Sequence, residues 1–266
     1  MKIYICADIE GISGFSNRED ALPSSPAYSL LAKQMSREVR AACEGFLQAG
    51  ASSILVEDCH GEGRNILPSY LPASTKLISG ITHDIFGVTG KFTSDFDALA
   101  FVGYHDASYS DGNPSAHTMS GRTIRRLTVN DELFSEFHIH TFAAATLGVP
   151  VIYLSGDEEI CKKAHTLLPG LTTFATLSGF GNASIHTSPE ENLQRIRETA
   201  FESLKNMHSL GKLKLSPFFH VKLEYIDHFQ AKKISHYPGA KRTDVFVVEF
   251  LSDDYREIMR FFLFAL

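Results

Sequence analysis

"KIYICADIEG", residues 2–11, begins with six residues rich in β-branched and aromatic side chains, then sets Asp8 and Glu10 ahead of a glycine. The apolar run does not alternate with polar residues. That pattern predicts a strand covered on both faces, hence a parallel sheet sandwiched by helices. At i, i+2 spacing the two acids share one side of the strand end. Carboxylates at the mouth of a buried strand are costly unless something positive meets them.

Outward from this stretch, strand and helix signals alternate. Residues 28–50 carry Leu31, Met35, Val39, Ala42 and Phe46 at steps of three and four and end at Gly50, a helix with a glycine cap. Buried strands are predicted at 52–58, 75–80, 98–105 and 149–157, and a shorter one at "LTTFATL". Helices are predicted over 131–148, over "EEICKKAHTLL" and over 188–208, with "SGFGNASIHT" (178–187) as a loop. "PFFHVKLEY" and "TDVFVVEFL" read as strands, and "DDYREIMRFFLFAL" as a last helix whose Phe261, Phe262 and Phe264 serve core or subunit contacts. The expected fold is α/β, a mainly parallel sheet flanked by helices with a smaller α+β C-terminal portion. A soft boundary near 180–210 divides residues 1–180, the metal-binding catalytic part, from 181–266, unless the chain is a single domain.

Composition narrows the function. With 266 residues, 44% hydrophobic content and a formal net charge of −6, the chain has ample core and no basic patch for nucleic acid. No run is long and apolar enough to cross a membrane, and the acids interrupt the first apolar run too early for a signal peptide, so a cytoplasmic location is expected. Cys6, Cys43, Cys59 and Cys161 are scattered without a CxxC pair. They are expected to be separate, reduced, buried thiols. Nucleotide loops and a GxSxG elbow are absent from the sequence.

In an open parallel sheet, sites form beyond the carboxyl ends of the strands. Asp8 and Glu10 follow the first strand; Glu57, Asp58 and His60 close the second; His105 follows the fourth. Singly, each has an ordinary structural explanation as a cap or loop residue. Together, acids and imidazoles without matching Lys or Arg point to a divalent metal, and one carboxylate can bridge two ions. Glu136 lies on a helix that also carries His138 and His140, and His140 shares its face at i, i+4. His117 in "SAHTMSG" sits in a polar loop where an imidazole can handle protons or stabilise an oxyanion.

The ordered set "ADIEGISG", "EDCHGEGRN", "LISG", "FVGYH", "SAHTM", "VND" and "GVPVIYLSGDE" resembles the zinc-dependent D-aminopeptidase family of bacterial dipeptide-transport operons, specifically to about residue 160 and more loosely beyond. The resemblance implies a metallo-aminopeptidase with two Zn2+ per subunit, cleaving the N-terminal bond of short peptides, and a ring-shaped homodecamer. It implies Asp8 as the bridging ligand, Glu10, His60, His105 and Glu136 as further ligands, and His117 as the catalytic histidine. The family assigns that histidine a nucleophile role; proton handling beside zinc-activated water is the physically easier alternative. Two departures bear on substrate choice. Family members carry Gly and Asn at His138 and His140, and Lys and Arg near Leu177 and Asn182. The rival expectations are a metal-dependent amidohydrolase on a non-peptide amide and a non-catalytic, metal-stabilised assembly module.

Overall fold

The computed structural model describes every residue except Lys212. The opening run forms β1 (Lys2–Ala7), buried from Ile3 onward. Helix α1 (Tyr28–Gln48) follows and lays Leu31, Met35, Val39, Ala42 and Phe46 against the sheet, with Gly50 beyond its end at φ +105°. Strands β2 (Ser53–Asp58), β3 (Thr75–Ile78) and β4 (Ala98–Tyr104) then pair in parallel around β1. A hairpin of β5 (Ile124–Val129) and β6 (Glu132–Leu133) precedes α2 (Glu136–Thr146). The chain returns to the first sheet through β7 (Val151–Asp157), α3 (Glu158–Leu167), β8 (Thr172–Phe180) and β9 (Ala183–His186). Helix α4 (Pro189–Asn206) leads to β10 (Phe219–Tyr225), α5 (His228–Ile234), β11 (Lys241–Arg242), β12 (Val247–Ser252) and α6 (Tyr255–Ala265).

The first sheet has the order β3-β2-β1-β4-β7-β8-β9 and is parallel up to β8. From β1 the chain builds outward through β2 and β3, then crosses back to add β4, β7 and β8. The switch in direction therefore falls between β1 and β4, where open α/β sheets bind their ligands. Helices α1 and α4 cover one face, and α2 and α3 the other. The second sheet, β11-β12-β10-β5-β6, is antiparallel and shares its core with α2 and α6. Helix α2 is thus apolar on two sides: Phe137 and Ala144 face the parallel sheet, and Ile139 and Ala143 the second.

The α/β architecture matches the expectation, with local differences. Residues 131–148 are not one helix: Asn130 and Asp131 both take positive φ (+53° and +68°), the two-residue hairpin turn that joins β5 to β6. Ser135 then caps α2. The segment 178–187 is not a loop, because β8 runs to Phe180 and turns at Gly181-Asn182 into β9. Strand β5 is hidden in the sequence by Arg125 and Arg126. The sheets do not follow the chain division at residue 180: β5 pairs with β10, while α4 packs on α1 in the first layer. In the last helix Phe261 and Phe262 are buried and Phe264 is exposed.

The expectation of four separate thiols is corrected. Cys6 and Cys59 form a disulfide, with Cα atoms 6.3 Å apart; Cys43 and Cys161 are free and buried. The parallel register places Cys6 opposite Glu57, so Cys59 emerges two residues along, within bridging range. A separation of 53 residues conceals this proximity in the sequence.

Two stability predictions come from this framework. A Cβ on Gly11 would stand 1.9 Å from the Tyr104 carbonyl oxygen, while the Gly11 amide donates to Gly103 O at 2.8 Å. Gly11→Ala should lower the melting temperature by about 5–10 °C, corresponding to overpacking worth about 1–3 kcal/mol. Glu57 is buried, its Oε2 accepting from the Tyr4 hydroxyl and the Gly90 amide. Burial, reinforced by Asp84 and Asp58, raises its pKa from 4.5 to about 7 against those hydrogen bonds. Its stabilising contribution is therefore complete below pH 4.5 and is lost as pH rises through 7. Glu57→Gln keeps the accepting oxygen, so its stability relative to wild type should improve by about 2 kcal/mol between pH 5 and pH 8 in paired thermal melts.

Candidate active site

The ends of β1, β2 and β4 deliver their polar residues to one edge at the switch point. Asp8 is held by its own amide donating to Val102 O (2.8 Å) and by the Ile9 amide on its Oδ1 (2.6 Å). Glu10 accepts from the Ser115 hydroxyl on Oε1 at 2.6 Å, and its backbone carbonyl accepts from Asn113 at 3.0 Å. The close packing of Gly11 on Tyr104 holds this turn against β4. His60 follows β2 in a turn pinned by Asn65, which donates to the His60 carbonyl and to Asp58. The N-terminus of α2 brings Glu136, and the loop between β4 and β5 brings His117.

All six predicted residues meet. His60 Nδ1 is 3.2 Å from Asp8 and 3.3 Å from Glu10. His105 Nε2 is 3.4 Å from Asp8, 3.7 Å from Glu10 and 3.5 Å from Glu136. His117 Nε2 is 3.6 Å from Glu10 and 3.8 Å from Glu136, and its ring stacks on His105 with centroids 4.3 Å apart. Donor atoms fall into three groups, each within 4.8 Å: Asp8, Glu10 and His60; Asp8, His105 and Glu136; and Glu10, His105 and His117. Asp8, Glu10 and His105 each belong to two of these groups.

The backbone determines which ring nitrogens face the cluster. His105 Nδ1 lies 2.9 Å from Asp106 O, and His117 Nδ1 lies 2.7 Å from Ser115 O. A carbonyl only accepts, so each Nδ1 donates its proton there, and Nε2 is the nitrogen turned toward the carboxylates. His105 Nε2 is buried and has no hydrogen-bond partner among the described residues. A lone pair aimed at three carboxylates is repulsive unless a proton or a cation lies between them.

The electrostatics agree. Burial alone would raise Glu10, but the surrounding imidazoles, His117 foremost, hold its carboxyl well below the usual range. Burial likewise opposes ionisation of Glu136, yet His105 and the Met119 amide, which donates to Oε1 at 2.7 Å, bring it down to about 2. Burial would lower both His60 and His105; the carboxylates instead raise His60 to about 10 and His105 well above its ordinary value. A divalent cation competes with those protons for the same donor atoms.

The remaining candidates lie outside the cluster. Glu57 turns to Tyr4, and Asp58 accepts from the amides of Asn65 and Ile66. His138 completes the capping box with Ser135, and burial together with Lys163 pushes it down to about 4. His140 is buried beside Gly87, and burial holds it near 4, a neutral core imidazole despite sharing a helix face with Glu136. Leu177 is buried in β8, and Asn182 sits at the exposed turn before β9. Sequence reasoning missed Ser115, whose hydroxyl holds Glu10 and whose carbonyl holds His117. A serine two residues before a histidine carries no signal alone. Arg18 and Arg122, on the wall of the roughly 430 Å³ cavity above the cluster, were equally silent.

Comparison with known proteins places this geometry in context. A D-aminopeptidase of Bacillus subtilis (strain 168) is 26% identical over 259 residues, 97% of this chain and 93% of that protein. The solved structure of the Zn-dependent D-aminopeptidase DppA from Bacillus subtilis, described as a self-compartmentalizing protease, is similar with a TM-score of 0.92 at 25% identity, over 100% of this chain and 96% of that one. A profile of peptidase family M55, D-aminopeptidase, matches residues 1–264, and the chain belongs to that family.

Proposed function

We propose that the protein is a zinc-dependent aminopeptidase that hydrolyses the N-terminal bond of short peptides, D-residue-containing peptides among them. The observation that carries this reading is the unpartnered, buried Nε2 of His105 facing Asp8, Glu10 and Glu136. Nitrogen and carboxylate oxygen donors at this spacing fit zinc. Three carboxylates with neutral imidazoles carry three negative charges, which suits two divalent ions better than one. Asp8 would bridge them; Glu10 and His60 would complete one site, and His105 and Glu136 the other. Family membership and the Zn-dependent structural relative support the same reading.

Zinc, when bound, supplies Lewis acidity toward a carbonyl and toward water. The protein supplies the rest. The cavity above the cluster admits the N-terminal amine and the scissile carbonyl of a short peptide. His117 is held by Ser115 O with Nε2 on the cavity side, where it gives or takes a proton as the tetrahedral species forms and collapses. Because Ser115 also holds Glu10, the proton-handling ring and a ligand carboxylate are fixed relative to each other.

We also propose a homo-oligomer, on the family's pattern a ring-shaped decamer, in the cytoplasm. Support comes from the relative described as self-compartmentalizing and from apolar side chains left outside the core, including Phe180, Ile185 and Phe264.

Metal analysis should find about two zinc ions per chain, and chelation should abolish hydrolysis of aminoacyl amides and dipeptides, with zinc restoring it. Less than about one ion per chain would end the metallopeptidase reading. His117→Ala should lower kcat by about 10²- to 10⁴-fold, the usual span for a positioned acid–base group. The variant should retain its zinc; loss of one ion per chain would make His117 a ligand instead.

A further inference from the structure

Two cations line the acidic cavity, Arg18 and Arg122. Arg18 opens the short 3-10 turn Arg18–Ala21. Its Nε donates to Ser115 Oγ at 3.2 Å, and Ser115 donates in turn to Glu10. The half-buried guanidinium rests against Gly121, where a Cβ would come within 2.2 Å of Nη2, so any larger residue would displace it. Arg122 follows directly in sequence on the same wall. Neither arginine has a carboxylate within 4.0 Å among the described residues, and the Arg18 Nη nitrogens make no hydrogen bond there.

An arginine seated by a glycine and a serine, facing a cavity without an acid of its own, has the geometry of a carboxylate receptor. The cavity is therefore polar in a directional sense: carboxylates and imidazoles at the floor, guanidinium groups on the wall. A short peptide has the complementary layout, with an amine donor for the metal-binding floor at one end and a carboxylate roughly 7 Å away across two residues. We propose that Arg18, with Arg122 beside it, binds the free C-terminal carboxylate of the substrate, so the enzyme selects very short peptide acids over their amides and over longer chains. This rests on the aminopeptidase reading and names the substrate class for it. Arg18 is a specificity residue, two hydrogen bonds from a ligand carboxylate.

The test compares alanyl-alanine with its C-terminal amide, in both stereochemical series, on the zinc-loaded enzyme. The wild-type protein should favour the acid by about 10- to 100-fold in kcat/KM, the size of a charge-assisted hydrogen bond. Arg18→Gln and Arg122→Gln should each bring that ratio toward one, chiefly through KM for the acid. An unchanged ratio in both variants, or a wild-type ratio near one, overturns the proposal. If the wild-type enzyme cleaves neither compound, the aminopeptidase reading fails by itself. Calorimetric binding of the same acid and amide to wild type and variants then decides the arginines' role, and equal affinities for acid and amide would refute it.

Discussion

Three buried carboxylates, Asp8, Glu10 and Glu136, converge on the same imidazole nitrogen of His105. In a protein interior such like charges repel strongly, and a folded chain keeps them together only by holding each from behind. That restraint is visible at every member. Main-chain amides hold Asp8 and Glu136, a serine hydroxyl holds Glu10, and carbonyl oxygens lock the Nδ1 protons of His105 and His117. All of these supports except the Ser115 hydroxyl are backbone groups. The geometry of the cluster is thus set by the fold.

The sheet topology supplies the convergence. Strand order reverses between β1 and β4, which opens a crevice at their carboxyl ends, and Asp8, Glu10 and His105 are the residues that occupy it. The neighbouring β2 adds His60 from the side. Behind this edge the chain packs tightly: Gly11 lies against Tyr104, and the Cys6–Cys59 disulfide ties the first strand to the residue before His60. The site gains its precision from strands, which are stiff, and its opening from loops, which carry the arginines and His117.

Much of this was legible in the sequence, for a physical reason. Short unbroken apolar runs rich in β-branched and aromatic residues read as strands covered on both faces, so the parallel sheet and its chemistry-bearing edge follow from "KIYICADIEG" and its successors. Asp8, Glu10, His60 and His105 needed no knowledge of side-chain packing, only their place just beyond strand ends, whereas Glu136 on a helix and His117 in a loop took their roles from the family resemblance. The hidden features depend on long-range register or on backbone dihedrals. The Cys6–Cys59 bridge requires knowing that β1 and β2 are parallel neighbours. The true start of α2 depends on positive φ at Asn130 and Asp131, which non-glycine residues seldom adopt. Strand β5 carries Arg125 at an exposed position and Arg126 over the Tyr109 ring, and those two adjacent charges masked it. His140 obeyed the helical spacing that made it a candidate, yet the same burial that makes Glu136 valuable leaves His140 as packing.

Helix α2 has one polar duty and two apolar faces. It is clamped between the parallel sheet and the antiparallel one, and Glu136 stands at its first turn. The second sheet contributes no side chain to the cavity, but it sets the height of the helix that does. The second sheet and α6 therefore work as a spacer gauge: the packing of Tyr255 and Met259 against Ile139 of α2 governs how far Glu136 stands from Asp8. Changes in that remote core would be felt as changes in the spacing of the carboxylate cluster, so the portion of the chain that looks free of chemistry carries part of its tolerance.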